Sequence, residues 1–119
     1  MSDFPSGKIE IRYSTDNWGP FNFDLSNALP SGDTIADVDV KAYLDNIKPT
    51  ADLSEETEIT SSLIDTNVAP THDGDSTVSL YLKYPGDTYK GQKATLVITV
   101  TLTNQTGVHP FFFNYVSIQ

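Results

Sequence analysis

The chain has 119 residues, 38% of them apolar, which is enough to bury the core of one domain and argues against disorder. Its net charge of −9, with only seven lysines and arginines, argues against binding to nucleic acid or to an anionic membrane surface. The absence of cysteine excludes disulfides, thiol nucleophiles and thiolate metal sites.

The beginning of the chain divides into a short arm and the start of a folded domain. Residues 1–7 are short and rich in turn formers, and we predict a flexible N-terminal arm there. Residues 8–119 contain no linker and no internal repeat, so they predict a single domain. Strict alternation of apolar and polar residues over 8–13 predicts its first strand.

Two further strands are predicted before the middle of the chain. Residues 14–31 are irregular and broken by proline and glycine, although Phe21, Phe23 and Leu25 share the spacing of one short strand face. Residues 34–44 predict a clear strand. Its expected inward residues are Ala36, Val38, Val40 and Ala42, and its expected outward residues are Asp37, Asp39 and Lys41.

The middle of the chain gives weaker signals. Residues 45–58 are polar, with one helical turn predicted at 53–56. Residues 59–68 predict a weak strand or two short ones, and residues 70–75 predict a turn. The last third is clearer. Residues 76–84 alternate, and 93–103 and 108–118 predict a closing hairpin whose first strand has a threonine-rich, solvent-exposed face.

Six or seven short strands, with turn signals about every ten residues and no long helix, predict the fold class. We expect an all-β protein, an immunoglobulin-like antiparallel β-sandwich of about seven strands.

The order of these signals resembles a known family, the small immunoglobulin-like β-sandwich proteins of tailed-phage structural modules. Its members carry an acidic-aromatic-leucine stretch that leads into a Gly-Asp-Thr-Ile motif, a valine-rich strand, a tyrosine after a glycine turn, a Thr/Val-rich strand and a terminal Val-x-Ile. The corresponding residues here are Phe23-Asp24-Leu25, Leu29, Gly32-Asp33-Thr34-Ile35, Val38, Val40, Gly86, Tyr89, 95–103, Gly107 and Val116-Ser117-Ile118. The chain departs from that pattern at Pro85-Gly86-Asp87 and at Phe111-Phe112-Phe113.

This resemblance implies a non-enzymatic part of a virion, such as a capsid decoration or a neck or fibre adaptor. The implied partners are other virion proteins, with a homo-oligomer in the particle as one arrangement, and no cofactor is implied. Because residues 1–7 do not have the pattern of a signal peptide, we expect assembly in the host cytoplasm.

The candidates for chemistry are few. Asp73 and Asp75 flank a glycine as in half of a calcium loop, but the further ligands of such a loop are missing, and Asp and Gly are also ordinary turn residues. His72 and His109 are the only histidines, and neither belongs to a recognised metal or nucleophile motif. We therefore predict no catalytic residue and no metal site, with Asp73 and Asp75 as the remaining metal candidates.

The aromatic residues are the candidates for an interface. We select Trp18, Phe21, Phe111, Phe113 and Tyr115. Strand alternation places residues 111, 113 and 115 opposite Phe112, so that face is either less buried than the core or covered by the loop around Trp18. Core packing is the structural explanation for these residues, and a protein interface is the functional one.

One alternative of a different class stays open at the level of sequence. The Asp-rich turns and Trp18 also fit a calcium- or glycan-binding immunoglobulin-like adhesive module of a bacterial surface protein. A hydrolase that uses paired carboxylates is a weaker third hypothesis, since no motif supports it.

Overall fold

Seven strands form two sheets in the part of the chain that the structure describes. The structure is a computed structural model that describes residues 9–12, 18–48, 52–65, 69–105, 107 and 109–119, without the side chains of Trp18 and Phe111. The predicted arm at residues 1–7 lies outside these ranges. The strands are β1 (Ile9–Ile11), β2 (Trp18–Asp24), β3 (Ile35–Leu44), β4 (Thr71–His72), β5 (Thr77–Leu82), β6 (Lys93–Leu102) and β7 (Phe111–Ile118).

The strand order confirms the predicted sandwich. One sheet has the order β1-β7-β6-β3 and the other has the order β2-β5-β4. β3, β6 and β7 lie in one sheet, and β2, β4 and β5 lie in the other. The two sheets of an immunoglobulin-like domain divide the strands in the same way. Every pairing is antiparallel except that of β1 with β7, which is parallel. The closing hairpin is present as β6 and β7.

The core fills the space between the two sheets. On β5, every second residue is buried, as the period of two predicts. Each fully buried aliphatic side chain contributes about 1.5–3 kcal/mol, so this layer is the main source of stability. Its largest fully buried side chains are Phe23, Ile11, Leu25, Ile35, Leu63, Ile64, Leu80, Leu82, Leu96, Ile98, Ile118 and Val78.

The N-terminal end of β3 differs from the prediction in one detail. The register of β3 with β6 shifts between Ile35 and Asp37, as in a β-bulge. The shift turns Ala36, predicted to point inward, to the solvent, while Ile35 is buried in the core. Val40 and Ala42 are buried as predicted, and Val38 is half-buried.

The predicted strand or strands at 59–68 were wrong over their described part. The helix α1 occupies Thr60–Leu63, with single β-bridges at Glu58 and Ile64 on either side, and residues 66–68 lie outside the described ranges. Ile59 and Leu63 are both buried, and a spacing of four residues places them on one side of a helical turn. The apolar residues Ile59 and Leu63 therefore contact the core from a helical turn and not from a strand.

Two other short segments complete the fold. The helical turn predicted near residue 53 is a 3-10 helix at Leu53–Glu55, where Asp52 caps the N-terminus by accepting a hydrogen bond from Ser54 N–H at 3.0 Å. A second 3-10 helix occupies Asp87–Tyr89. Residues 70–75, predicted as a turn alone, also contain β4, which pairs with β5.

Candidate interaction surfaces

The five aromatic interface candidates lie on two strands that belong to different sheets. Trp18 and Phe21 lie on β2, where their backbones pair with Leu82 and Leu80 in the three-stranded sheet. The other three candidates, Phe111, Phe113 and Tyr115, lie on β7 in the four-stranded sheet. β2 and β7 thus belong to opposite sheets, and residues 13–17, which precede Trp18 in the loop predicted to cover the aromatic face of β7, lie outside the described ranges.

Phe21 takes part in the main core. It is half-buried and packs against the cluster between the sheets, two residues from the fully buried Phe23. Phe112 on β7 also packs against this cluster. The core explanation therefore fits Phe21, while the side chains of Trp18 and Phe111 lie outside the described part of the structure.

The outer face of β6 and β7 carries a second, smaller core. Thr95 and Val97, which belong to the face predicted to be solvated, are 0% and 5% exposed. Val97 forms a cluster with Tyr43 and Ile47, against which two half-buried residues pack, Leu53 and Phe113. The segment after β3 thus folds back over this end of the sheet and covers it.

Hydrogen bonds fix this covering segment to the sheet. Thr95 Oγ1 accepts a hydrogen bond from Ile47 N–H at 2.8 Å and donates one to the Asp45 carbonyl at 2.7 Å. The Tyr115 hydroxyl donates to the Ile47 carbonyl at 3.1 Å. Tyr115 and Phe113 are therefore held in contacts within the chain, which limits the part of each that a partner could reach.

Sequence reasoning missed the role of Thr95 and Ile47. The available signal was a pair of apolar residues in polar surroundings. Ile47 is isolated in the polar segment 45–58, and Val97 lies on the threonine-rich face of β6. An apolar pair of this kind on two neighbouring segments indicates a contact outside the main core, but a period-two analysis of each strand alone does not detect it.

The metal candidates Asp73 and Asp75 lie in the β4–β5 turn. Asp73 Oδ1 accepts hydrogen bonds from the backbone N–H groups of Asp75, Ser76 and Thr77 at 2.8, 3.1 and 3.1 Å. Burial opposes its charge, but these bonds outweigh that effect and hold the pKa of Asp73 below its ordinary value. The arrangement is that of an Asx turn, in which the carboxylate organises its own loop.

His72 also takes part in this turn. Its Nδ1 accepts a hydrogen bond from Gly74 N–H at 3.1 Å. Across the described ranges, no three or more His, Asp or Glu side chains are grouped so as to hold a metal ion. The contacts seen at Asp73 and His72 are those of turn residues.

The Gly-Asp-Thr-Ile motif forms the corner before β3. Asp33 Oδ1 accepts hydrogen bonds from Thr34 N–H at 2.9 Å and Asn104 N–H at 3.0 Å. Burial raises the pKa of Asp33, but these bonds outweigh it, so the net pKa is lowered. Thr103 N–H donates to the Thr34 carbonyl at 3.0 Å. The motif therefore ties the corner before β3 to the turn after β6.

A cavity of about 410 Å³ lies beside this corner. Its wall is mostly polar and consists of Ser26, Leu29, Pro30, Ser31, Gly32, Asp33, Thr34, Asp75 and Ser76. Asp33 directs one carboxylate oxygen to two backbone amides, and Ile35 N–H donates to the Asp75 carbonyl at 2.9 Å. The Asp33 carboxylate and the Asp75 backbone carbonyl thus support the loops around the cavity.

Comparison of the chain with models of protein families, with curated proteins and with solved structures finds no match. Within the described ranges, no helix has the length and apolar character needed to cross a membrane. The case for a function therefore rests on the residues and contacts above.

Proposed function

We propose that this chain is a non-enzymatic structural protein of a tailed-phage virion that acts through protein–protein contacts, as a capsid decoration or as a neck or fibre adaptor. Its partners are other virion proteins, it can occur as several copies in the particle, and it is assembled in the host cytoplasm. The proposal starts from the family resemblance and adds the contacts described above.

The observation that carries the proposal is the role of Asp33 in the Gly-Asp-Thr-Ile motif. This motif is one element of the resemblance, and its carboxylate joins two turns by hydrogen bonds to Thr34 and Asn104. A motif with this role fits a family whose shared feature is the architecture of the sandwich. The contacts of Asp73 and His72 also support the turn that contains them.

The way in which such a module joins its neighbours follows from its architecture. Each sheet of a sandwich ends in edge strands whose backbone groups a neighbouring chain can pair with. Repeated copies on a symmetric particle would make individually weak contacts effective through multivalency. A module of this kind needs a stable core and suitable surfaces, and no reactive group.

Immunogold electron microscopy of purified particles tests the proposal. An antibody raised against the purified chain should label intact particles, on the capsid for a decoration protein and at the head–tail junction for a neck or fibre adaptor. Antibody absorbed with the purified chain is the control and should give no labelling. If particles stay unlabelled both intact and after mild disruption, the virion proposal is wrong.

The same protein preparation tests the alternative of an adhesive module. Calorimetric titration with calcium, alone and together with a panel of glycans, should give no binding heat if the virion proposal holds. Saturable heat with calcium, combined with unlabelled particles, would favour the calcium- or glycan-binding module instead.

A further inference from the structure

The cavity beside the corner before β3 has the size of a ligand pocket. Its volume of about 410 Å³ lies within the range of about 300–1,000 Å³ that is typical of such pockets. Its wall combines the apolar residues Leu29 and Pro30 with hydroxyl groups and with the acidic residues Asp33 and Asp75. A wall of this kind suits a ligand that has both an apolar part and a positively charged group.

Two further carboxylates lie next to this wall. Asp24 Oδ1 accepts a hydrogen bond from Ser26 N–H at 2.9 Å, and Asp73 Oδ1 accepts one from Ser76 N–H at 3.1 Å. Ser26 and Ser76 both line the cavity. In the described part of the chain, no lysine or arginine forms an ion pair with any of these four carboxylates. The cavity therefore lies in a negative potential that these residues do not compensate.

One oxygen of Asp33 indicates, independently of the charge, that a hydrogen-bond donor is missing from this site. Asp33 Oδ1 accepts hydrogen bonds from Thr34 N–H and Asn104 N–H. Oδ2 of the same carboxylate is buried and accepts no hydrogen bond within the described ranges. A buried carboxylate oxygen without a donor is unfavourable, and such atoms are uncommon in native structures.

The arrangement of the acidic residues favours an organic cation over a metal ion. Among the described residues, no three His, Asp or Glu side chains are grouped so as to hold a metal ion. Calcium takes about six to eight oxygen ligands, whereas one carboxylate is enough for a bidentate pair with a guanidinium group. A guanidinium group is also more weakly hydrated than an ammonium group, which lowers the cost of its entry into a cavity.

We propose that this cavity binds the guanidinium group of an arginine side chain that a partner protein presents. This inference rests on the proposed function, because it names the site and the partner chemistry of a module that acts through protein contacts. The carboxylates of Asp33 and Asp75 attract the charged group, and Leu29 and Pro30 provide an apolar surface for its aliphatic stem.

The sequence makes a second copy of this chain an unsuitable partner. Arg12 is its only arginine, and the Arg12 side chain forms an ion pair with Glu10 at 3.7 Å. Two copies would also each carry a net charge of −9, which opposes their association. The arginine therefore comes from a different protein.

The test uses the tripeptide acetyl-Gly-Arg-Gly-amide, titrated into the isotope-labelled full chain and followed by NMR. We expect the largest backbone amide shifts at Gly32, Thr34 and Ser76, which line the cavity. The matched control is the same tripeptide with citrulline in place of arginine, because citrulline is neutral and has nearly the same shape. The citrulline peptide should bind about tenfold or more weakly, since it lacks the charge. Calcium chloride is the second probe and should not reproduce the shifts.

Charge variants test whether the binding depends on the cavity. The Asp75 carboxylate is exposed and takes part in no hydrogen bond or ion pair within the described ranges, so D75N should remain folded. D75N should weaken binding of the arginine peptide by about two- to fivefold at low ionic strength. D45N makes the same change beyond the other end of β3, about 30 Å away along the strand, and should leave the affinity unchanged.

Several outcomes would overturn the inference. Equal binding of the citrulline peptide, equal effects of D75N and D45N, or shifts centred away from the cavity would each contradict it. Calcium-induced shifts at the cavity without binding of the arginine peptide would make it a metal site. Self-association through the cavity that R12Q abolishes would make a second copy the occupant.

The inference and the proposed function fail in different experiments. If the chain labels particles in the immunogold experiment but does not bind the arginine peptide, the inference is wrong and the proposed function stands. If the peptide binds at the cavity and particles stay unlabelled, the guanidinium site stands and the virion proposal is wrong.

Discussion

The substitution T95V tests how the outer face of the hairpin is covered. Threonine and valine have nearly the same shape, so this change removes the hydroxyl that bridges Ile47 N–H and the Asp45 carbonyl at 2.8 and 2.7 Å. Ile47 is 3% exposed, so we expect its N–H to be left without a partner, whereas Asp45 is exposed and water can replace part of its bond.

The magnitude follows from these two environments. A buried donor left unsatisfied costs about 1–3 kcal/mol, and the added methyl group offsets about 0.8 kcal/mol of the total loss. Including the smaller loss at the Asp45 carbonyl, we expect T95V to lower the free energy of unfolding by about 2 kcal/mol. Urea unfolding monitored by far-UV circular dichroism measures this change, with the denaturant slope expected to stay constant.

A matched control comes from the same strand and face. Thr99 is half-buried, so T99V should change the free energy of unfolding by less than about 0.5 kcal/mol. The substitution Y115F removes the other hydrogen bond to Ile47, so the two changes should be coupled by about 0.5 kcal/mol or more in a double-mutant cycle. Equal effects of T95V and T99V would refute the covering-segment explanation.

Three further predictions concern polar and backbone groups elsewhere. Asn114 is 5% exposed and its Nδ2 has no hydrogen-bond partner in the described ranges, so N114V should raise the free energy of unfolding by about 1 kcal/mol. The matched substitution N22V should lower the free energy of unfolding by about the same amount, because Asn22 Oδ1 accepts a hydrogen bond from Ser79 Oγ at 2.6 Å. Because the pKa of Asp73 is lower in the folded state than in the unfolded state, its ionised carboxylate stabilises the fold at pH values above its unfolded pKa, which is near 4. This stabilisation is lost as the pH falls through the pKa of the folded state. In acid titrations followed by circular dichroism, D73N should therefore lose less stability than the parent below about pH 4. G19A should lower the melting temperature, because Gly19 has a φ of 140° and an added Cβ would lie 3.0 Å from the Leu80 carbonyl oxygen.

Much of the fold could be predicted from the sequence because the strands β3, β5 and β6 alternate clearly. Each has one face in a continuous core, and on β5 the chemical pattern and the burial pattern have the same period. On β6 the burial pattern is broader than the chemical pattern, because Thr95 and Val97 on the other face are buried as well. The segment at 59–68 was harder, since Ile59 and Leu63 serve a single helical turn that is too short to show a helical period. Contacts with β3, which are distant in sequence, determine its conformation.

Less of the candidate surfaces could be predicted. Alternation placed Phe113 and Tyr115 opposite Phe112, but it could not show that the segment around Ile47 lies over them. This contact depends on the packing of a segment against a sheet, which a local pattern does not contain.

The central proposal is that this chain is a structural part of a phage particle. The most direct test is quantitative mass spectrometry of purified phage particles from the source of the chain. We expect peptides of the chain at a fixed copy number per particle, in the hundreds for a capsid-surface protein and in small numbers for a neck or fibre adaptor. Absence of the chain from particles that contain their other structural proteins would contradict the claim.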